Sequence, residues 1–152
     1  MRVLVQRSLN SSVSVDNKVV GKIDKGLVLL VGFTFSDDEK VIDKMVSKVI
    51  NLRIFDDENK VMNKSLLDVG GEILSISQFT LYANTKKGNR PSYIEALNGD
   101  LARPLYDLFN KKLRDLNIKT ETGIFGADMK VSITNDGPVT ILLESSDSND
   151  KK

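Results

Sequence analysis

Apolar and polar residues alternate with a period of two over residues 2–7, with Val3 and Val5 on one side, the pattern of a strand with one buried face. Residues 12–15 and 19–23 are short β-type runs, and the turn-forming Asp16-Asn17-Lys18 between them predicts a hairpin. After Gly26, residues 27–33 are apolar at nearly every position, so a strand covered on both faces is expected. The period then changes. Ser36-Asp37-Asp38-Glu39 has the form of a capping box with Ser36 as cap. Val41, Ile42, Met45, Val46, Val49 and Ile50 follow at three- and four-residue spacings, which predicts a helix with a core-facing stripe that ends near Leu52.

Asp56-Asp57-Glu58-Asn59 reads as a polar turn, and Gly70-Gly71 as a break before a strand over 72–79. A second helix is predicted over 99–117, with Leu101, Leu105, Leu108, Phe109, Leu113 and Leu116 on one side and Pro104 in its first turn. Met129, Val131 and Ile133 mark a strand, Asn135-Asp136-Gly137-Pro138 a turn, and residues 139–143 a closing strand. The tail 145–152 has no apolar residue to bury and is expected to be disordered, leaving one domain over 1–144. Strand runs broken by two helices imply an α+β class with an antiparallel-rich or barrel-like sheet.

Composition narrows the chemistry. The 152 residues contain neither cysteine nor histidine, which excludes thiolate nucleophiles, a Ser-His-Asp triad and most transition-metal ligand sets. No cofactor is expected, and only carboxylate or carbonyl oxygens could hold a metal. Lys plus Arg total 22 against 21 Asp plus Glu, so any contact with nucleic acid must be local. No apolar run approaches a membrane span and the first residues lack a signal-peptide core, so a soluble, cytoplasmic protein with no membrane partner is expected.

Four polar stretches interrupt the apolar pattern. Ser77-Gln78-Phe79-Thr80 is either the solvated face of a strand or a strand end whose backbone N–H groups converge on an oxyanion beside a hydroxyl. Asn135-Asp136-Gly137-Pro138-Val139-Thr140 is foremost a hairpin signal, although Pro after Gly lowers the cost of a cis peptide and allows a rigid pair of carbonyls. The loop carrying Lys86, Lys87 and Arg90 is a solvated surface loop or a phosphate contact. In the stretch 122–129, Phe125 is a core plug or the wall of a base-sized slot.

Together these stretches resemble D-aminoacyl-tRNA deacylases. Ser77-Gln78-Phe79-Thr80 and Asn135 to Thr140 match two family motifs; the opening Met1-Arg2 to Gln6-Arg7, the 87–92 loop and the 122–129 segment are similar and stand in the same order. The resemblance implies a β-barrel-like domain with two external helices, paired as a homodimer with active sites at the interface. It implies a cis Gly137–Pro138 peptide that reaches into the partner's pocket and admits only D-aminoacyl or glycyl esters. Arg7 would brace that turn, Asn135 would belong to it, and Phe125 and Met129 would lie by the terminal adenosine. Ser77, Gln78, Phe79 and Thr80 would surround the scissile ester, with backbone N–H groups of Gln78 and Phe79 as oxyanion donors and the tRNA 2′-hydroxyl assisting water. No residue is an evident base for Thr80, so a positioning role is expected. Lys86, Lys87 and Arg90 would hold the acceptor end with a shallow salt dependence. Two other readings are a module that binds a nucleotide or a nucleic-acid end without turnover, and a structural dimer clasped by the Gly-Pro turn.

Overall fold

The alternation in the first third of the chain builds two long strands. In the computed structural model, which describes residues 1–145, β1 (Arg2–Val15) and β2 (Lys18–Gly32) pair antiparallel along their length. Asp16 and Asn17 join them at φ of 50° and 65°, the left-handed pair that matches a tight hairpin to strand twist. The predicted strands at 2–7, 12–15, 19–23 and 27–33 are therefore portions of one ribbon.

β7 (Lys130–Glu144) pairs antiparallel with β1, while β5 (Glu72–Ser77) and β6 (Thr120–Thr122) extend the other side in parallel, giving the order β6-β5-β2-β1-β7. The parallel pairs follow from the connections, since a chain that re-enters a sheet in the same direction must cross over. Between β2 and β5 lie α1 (Glu39–Asn51), the small hairpin β3 (Phe55–Asp56) and β4 (Met62–Lys64), and α2 (Leu66–Val69). Between β5 and β6 lie a 3₁₀ turn (Phe79–Tyr82) and α3 (Gly99–Asp115). The α+β class and the predominance of antiparallel pairing hold. The barrel does not: among the described residues the sheet is open, with β6 and β7 as its edges. It curls instead, and the start of β2 passes β6 so closely that a Cβ at Gly21 would lie 2.6 Å from the Thr122 carbonyl oxygen.

The curl makes two cores. On one face Val3, Val5, Leu27, Leu29 and Ile73 meet Ile42, Val46 and Val49 of α1 and Tyr106, Phe109 and Leu113 of α3. On the other, Val13, Ile23, Val28, Leu74 and Ile76 are closed by Met129, Val131 and Ile133. Consecutive apolar residues in β2 and β5 thus serve opposite cores.

Several local expectations shift. The cap of α1 is Asp38, whose side chain accepts from Val41 N–H at 3.0 Å; Ser36 stands at φ 74°, outside the helix. The buried face of α3 is Ala102, Tyr106, Phe109 and Leu113, at the 4-3-4 spacing of one helical face, with Asn110 beside them, whereas Leu101 and Leu116 are exposed. Pro104 falls beyond the first turn. β5 ends at Ser77 instead of Phe79, because the 3₁₀ turn takes over. Residues 135–138 do not reverse the chain: both halves of β7 run along β1. Of the predicted tail, Ser145 donates its N–H to Met1 O at 2.8 Å, and residues 146–152 lie outside the described residues. Among the described residues no helix is long and apolar enough to cross a membrane.

Tyr106 links α3 to β5: its hydroxyl donates to Ser75 O at 2.8 Å and lies 3.2 Å from Ser75 Oγ, with both residues buried. Removing one partner leaves the other unsatisfied, so Tyr106→Phe is expected to cost about 1–3 kcal/mol in urea unfolding. A change below a few tenths would contradict this linkage.

Candidate active site

β2 and β5 end side by side, and Gln78 N–H extends their pairing by donating to Val31 O at 2.7 Å. The chain then turns tightly through Phe79–Tyr82. A Cβ at Gly32 would lie 2.9 Å from Gln78 O and 3.3 Å from Leu81 Cβ, so glycine is what lets the turn settle there. Arg2 holds it from outside, donating to Leu81 O at 2.7 Å with its guanidinium 4.5 Å from the Tyr82 ring centre. The first N–H groups of a 3₁₀ turn have no partner inside it. Phe79 and Thr80 N–H carry no hydrogen bond among the described residues. Of the expected donor pair Gln78 and Phe79, Gln78 N–H is therefore engaged in the sheet, and the unengaged N–H groups of the turn are those of Phe79 and Thr80. The Gln78 side-chain amide donates to Thr80 Oγ1.

Beside this turn opens a cleft of about 600 Å³, within the usual range for small-molecule sites. Ser77, Gln78 and Phe79 form one wall, and Phe125 and Met129 line it as well. Tyr93, Asn98 and Gly99 complete it and were not singled out from the sequence, although Asn98 before Gly99-Asp100 is a readable cap signal: its Oδ1 accepts from Asp100 N–H at 2.8 Å. Phe79, 56% exposed, meets Tyr93 edge to face at 5.2 Å. Phe125 is both core and wall, with its ring 5.8 Å from that of Tyr106 and a cation contact from Arg103 at 5.9 Å. Asp128 is turned away to solvent and pairs with Lys130 at 3.0 Å.

Gly137 and Pro138 lie elsewhere. The β1–β7 register passes from Ser8↔Asn135 to Gln6↔Thr140, so residues 136–139 bulge opposite Arg7 alone, and the Gly137–Pro138 peptide is cis. Arg7 is buried; its Nε donates to Asp136 O at 3.0 Å and its Nη1 to Ile54 O at 2.8 Å, with Asp56 Oδ1 3.4 Å away. Asn135 closes the neck of the bulge, accepting from Val139 N–H at 3.0 Å and donating to Thr140 Oγ1 at 2.7 Å. At Gly137 φ is 125°, and a Cβ would stand 2.8 Å from Arg7 Nη2, so only glycine fits. Three strand spacings, roughly 14 Å, separate β7 from β5 at this level. Within one chain the bulge does not line the cleft.

Lys86, Lys87 and Arg90 are exposed on the loop between Asn84 and Ser92, which bond each other's backbone at 2.8 and 2.9 Å. The loop leaves the 3₁₀ turn and returns at Tyr93, so it rises from the cleft rim. None of the three forms an ion pair among the described residues.

Fold and cleft together define an α+β protein that offers a largely apolar cleft beside unengaged main-chain donors, in a chain without a histidine base. The sequence matches the D-Tyr-tRNA(Tyr) deacylase family over residues 4–144, and the chain belongs to that family. It is 56% identical over 146 residues to a D-aminoacyl-tRNA deacylase of Flavobacterium psychrophilum, covering 95% of this chain and 97% of the relative. Identity to the Listeria monocytogenes D-aminoacyl-tRNA deacylase is 54% over 151 residues, covering 99% and 100%. Among solved structures, the c-Myc DNA unwinding element binding protein superposes with a TM-score of 0.91 at 41% identity, covering 96% and 99%. A probable eukaryotic D-amino acid tRNA deacylase shares the fold, with a TM-score of 0.81 at 20% identity, covering 93% and 97%.

Arg7→Ala leaves two carbonyls without their donor and is expected to destabilise the protein by about 2–4 kcal/mol. Arg7→Lys should recover only part, since an ammonium cannot fork between both oxygens. Guanidinium unfolding midpoints read both, with Val139 amide exchange accelerated in each; unchanged exchange would separate Arg7 from the bulge.

Proposed function

We propose that this chain hydrolyses the ester of D-aminoacyl-tRNA, releasing free tRNA and the amino acid, and that it works as a homodimer whose subunits complete each other's clefts. The observation that carries the reading is the unengaged donor pair, Phe79 and Thr80 N–H, in a turn whose Phe79 lines a largely apolar cleft and whose Thr80 stands just outside its lining, in a chain of the deacylase family. The terminal adenosine stacks against Phe125 and Met129, which brings the ester carbonyl to Ser77–Thr80. Water adds to that carbonyl, and the tetrahedral oxyanion accepts from the two main-chain donors, which are fixed before reaction begins. The bond to the ribose oxygen then breaks and that oxygen takes a proton, with the terminal 2′-hydroxyl assisting the water. An aminoacyl ester is activated, so position and charge stabilisation are sufficient without a strong base.

Selectivity belongs to the partner subunit's Gly137 and Pro138. Their carbonyls, held by the Arg7 and Asn135 bonds, face the amino-acid moiety and leave room for a D side chain or for the hydrogen of glycine. β7 supports the dimer, because among the described residues it is an edge strand, interrupted at the 136–139 bulge, and folded proteins ordinarily cover such an edge. Lys86, Lys87 and Arg90 contact acceptor-end phosphates. The Thr80 hydroxyl, engaged by Gln78 and lacking a base, positions the ester.

The second reading is a module that holds a nucleic-acid end without turnover; the 41% identical DNA-binding protein and the exposed basic loop favour it. Release of amino acid from matched D- and L-tyrosyl-tRNA decides between them. The deacylase reading expects the D-ester to be cleaved at least 100-fold faster; equal rates remove chiral selection, and binding without release supports the module. Thr80→Val is expected to keep turnover within about 100-fold of the parent, with water oxygen entering the amino acid in one step. Abolished turnover, or an acylated Thr80 in the parent protein, would make it the nucleophile.

A further inference from the structure

Helix α1 carries a second basic feature outside the cleft. Lys40, Lys44 and Lys48 recur every four residues, so they form one exposed row with Cα atoms about 6 Å apart along the axis. Arg53 continues the row past the helix end. Lys44, Lys48 and Arg53 line a shallow groove of about 660 Å³ together with Asp43, whose carboxylate is paired with Lys112, and Arg53 is fixed there through Nε donating to Asn63 O at 3.0 Å.

The row brings the helix no local gain. Like charges four residues apart repel. The two acidic residues of α1 do not relieve them: Glu39 and Asp43 are drawn to Lys112 of α3, at 2.9 and 2.6 Å, and they hold its ammonium above the usual lysine range. None of Lys40, Lys44, Lys48 or Arg53 has an ion-pair partner among the described residues. In a chain of formal charge +1 this is a local excess.

Its place in the fold gives the excess a direction. α1 begins beyond Phe33, at the cleft end of β2, and finishes at Leu52. Arg53 directly precedes Ile54, whose carbonyl shares the Arg7 guanidinium with Asp136 of the Gly137–Pro138 bulge. The row therefore ends beside the corner that the proposed dimer places in the other subunit's cleft.

We propose that Lys40, Lys44, Lys48 and Arg53 form a phosphate-binding rail for the helical acceptor arm of the tRNA whose ester lies in the partner's cleft. This rests on the deacylase reading. One subunit's Lys86, Lys87 and Arg90 hold the single-stranded end, while the subunit supplying the Gly-Pro corner holds the stem. Spaced point charges suit a backbone and read no base. The dependence on salt is then steeper than the basic loop alone requires.

The test compares D-tyrosyl-tRNA with the D-tyrosyl ester of adenosine, which fills the cleft but has no stem. Lys44→Glu/Lys48→Glu is expected to raise KM for the tRNA at least 10-fold and leave the adenosine ester unchanged. The milder Lys44→Gln/Lys48→Gln, which avoids new charge on the helix, is expected to reduce the salt slope of tRNA affinity by about 2, close to one per lost contact. Unchanged tRNA parameters in both variants overturn the rail. An equal loss on both substrates also overturns it, because the residues would then act through the fold. Affinity for deacylated tRNA needs no turnover and reads the same contacts, so a failure of the hydrolysis reading and a failure of the rail are distinguishable.

Discussion

One buried guanidinium ties together the parts of this protein that chemistry needs to be rigid. Arg7 lies at the β1 position where pairing with β7 lapses, and its two carbonyl contacts join the segment after α1 to the Gly137–Pro138 bulge. Asn135 closes the same bulge from within β7. A four-residue excursion from an edge strand would ordinarily be a mobile tip. Here Arg7 and Asn135 bond its base at Asp136 O, Val139 N–H and Thr140 Oγ1, and the absence of a Cβ at Gly137 lets Arg7 come close. The proposed selection of D-aminoacyl esters requires a corner that does not yield to its ligand, and these bonds stiffen it.

The cleft uses the same economy of side chains. A 3₁₀ turn set where two parallel strands stop leaves Phe79 and Thr80 N–H free, while Gln78 N–H remains in the sheet. Arg2, Gly32 and the Gln78 amide hold the shape of that turn. Such a site suits a chain that has no histidine and no cysteine, because the proposed charge stabilisation draws on the backbone alone.

Much of this was legible in the sequence where the signal was local. Period-two alternation located the start of β1, short β-type runs and a continuous apolar run located the rest of β1 and β2, the three-and-four spacing located α1, and the Ser77–Thr80 and Gly137–Pro138 motifs marked the two halves of the proposed site. What was hidden is non-local. The parallel entry of β5 and the three-residue β6 depend on crossovers that no short window records. Asp136-Gly137 has the composition of a hairpin turn, yet the chain runs straight on because residues 130–135 and 140–144 both find β1. Ser36 and Asp38 compete for the same cap, and the positive φ of Ser36 decides for Asp38. The occupation of Gln78 N–H by Val31 O could be seen only once β2 and β5 were adjacent.

The account stands on two half-sites, the 78–80 turn with its cleft and the Gly137–Pro138 corner, that do not meet within one chain. Mixed dimers test this most directly. One subunit would carry Gly99→Trp to fill the cleft and the other Gly137→Ala to disrupt the corner, each inactive as a homodimer. If the sites are shared, the mixed dimer contains one intact cleft facing one intact corner, and D-aminoacyl-tRNA hydrolysis should return to about half the parent rate per dimer. A mixed dimer as inactive as its parents would contradict the account.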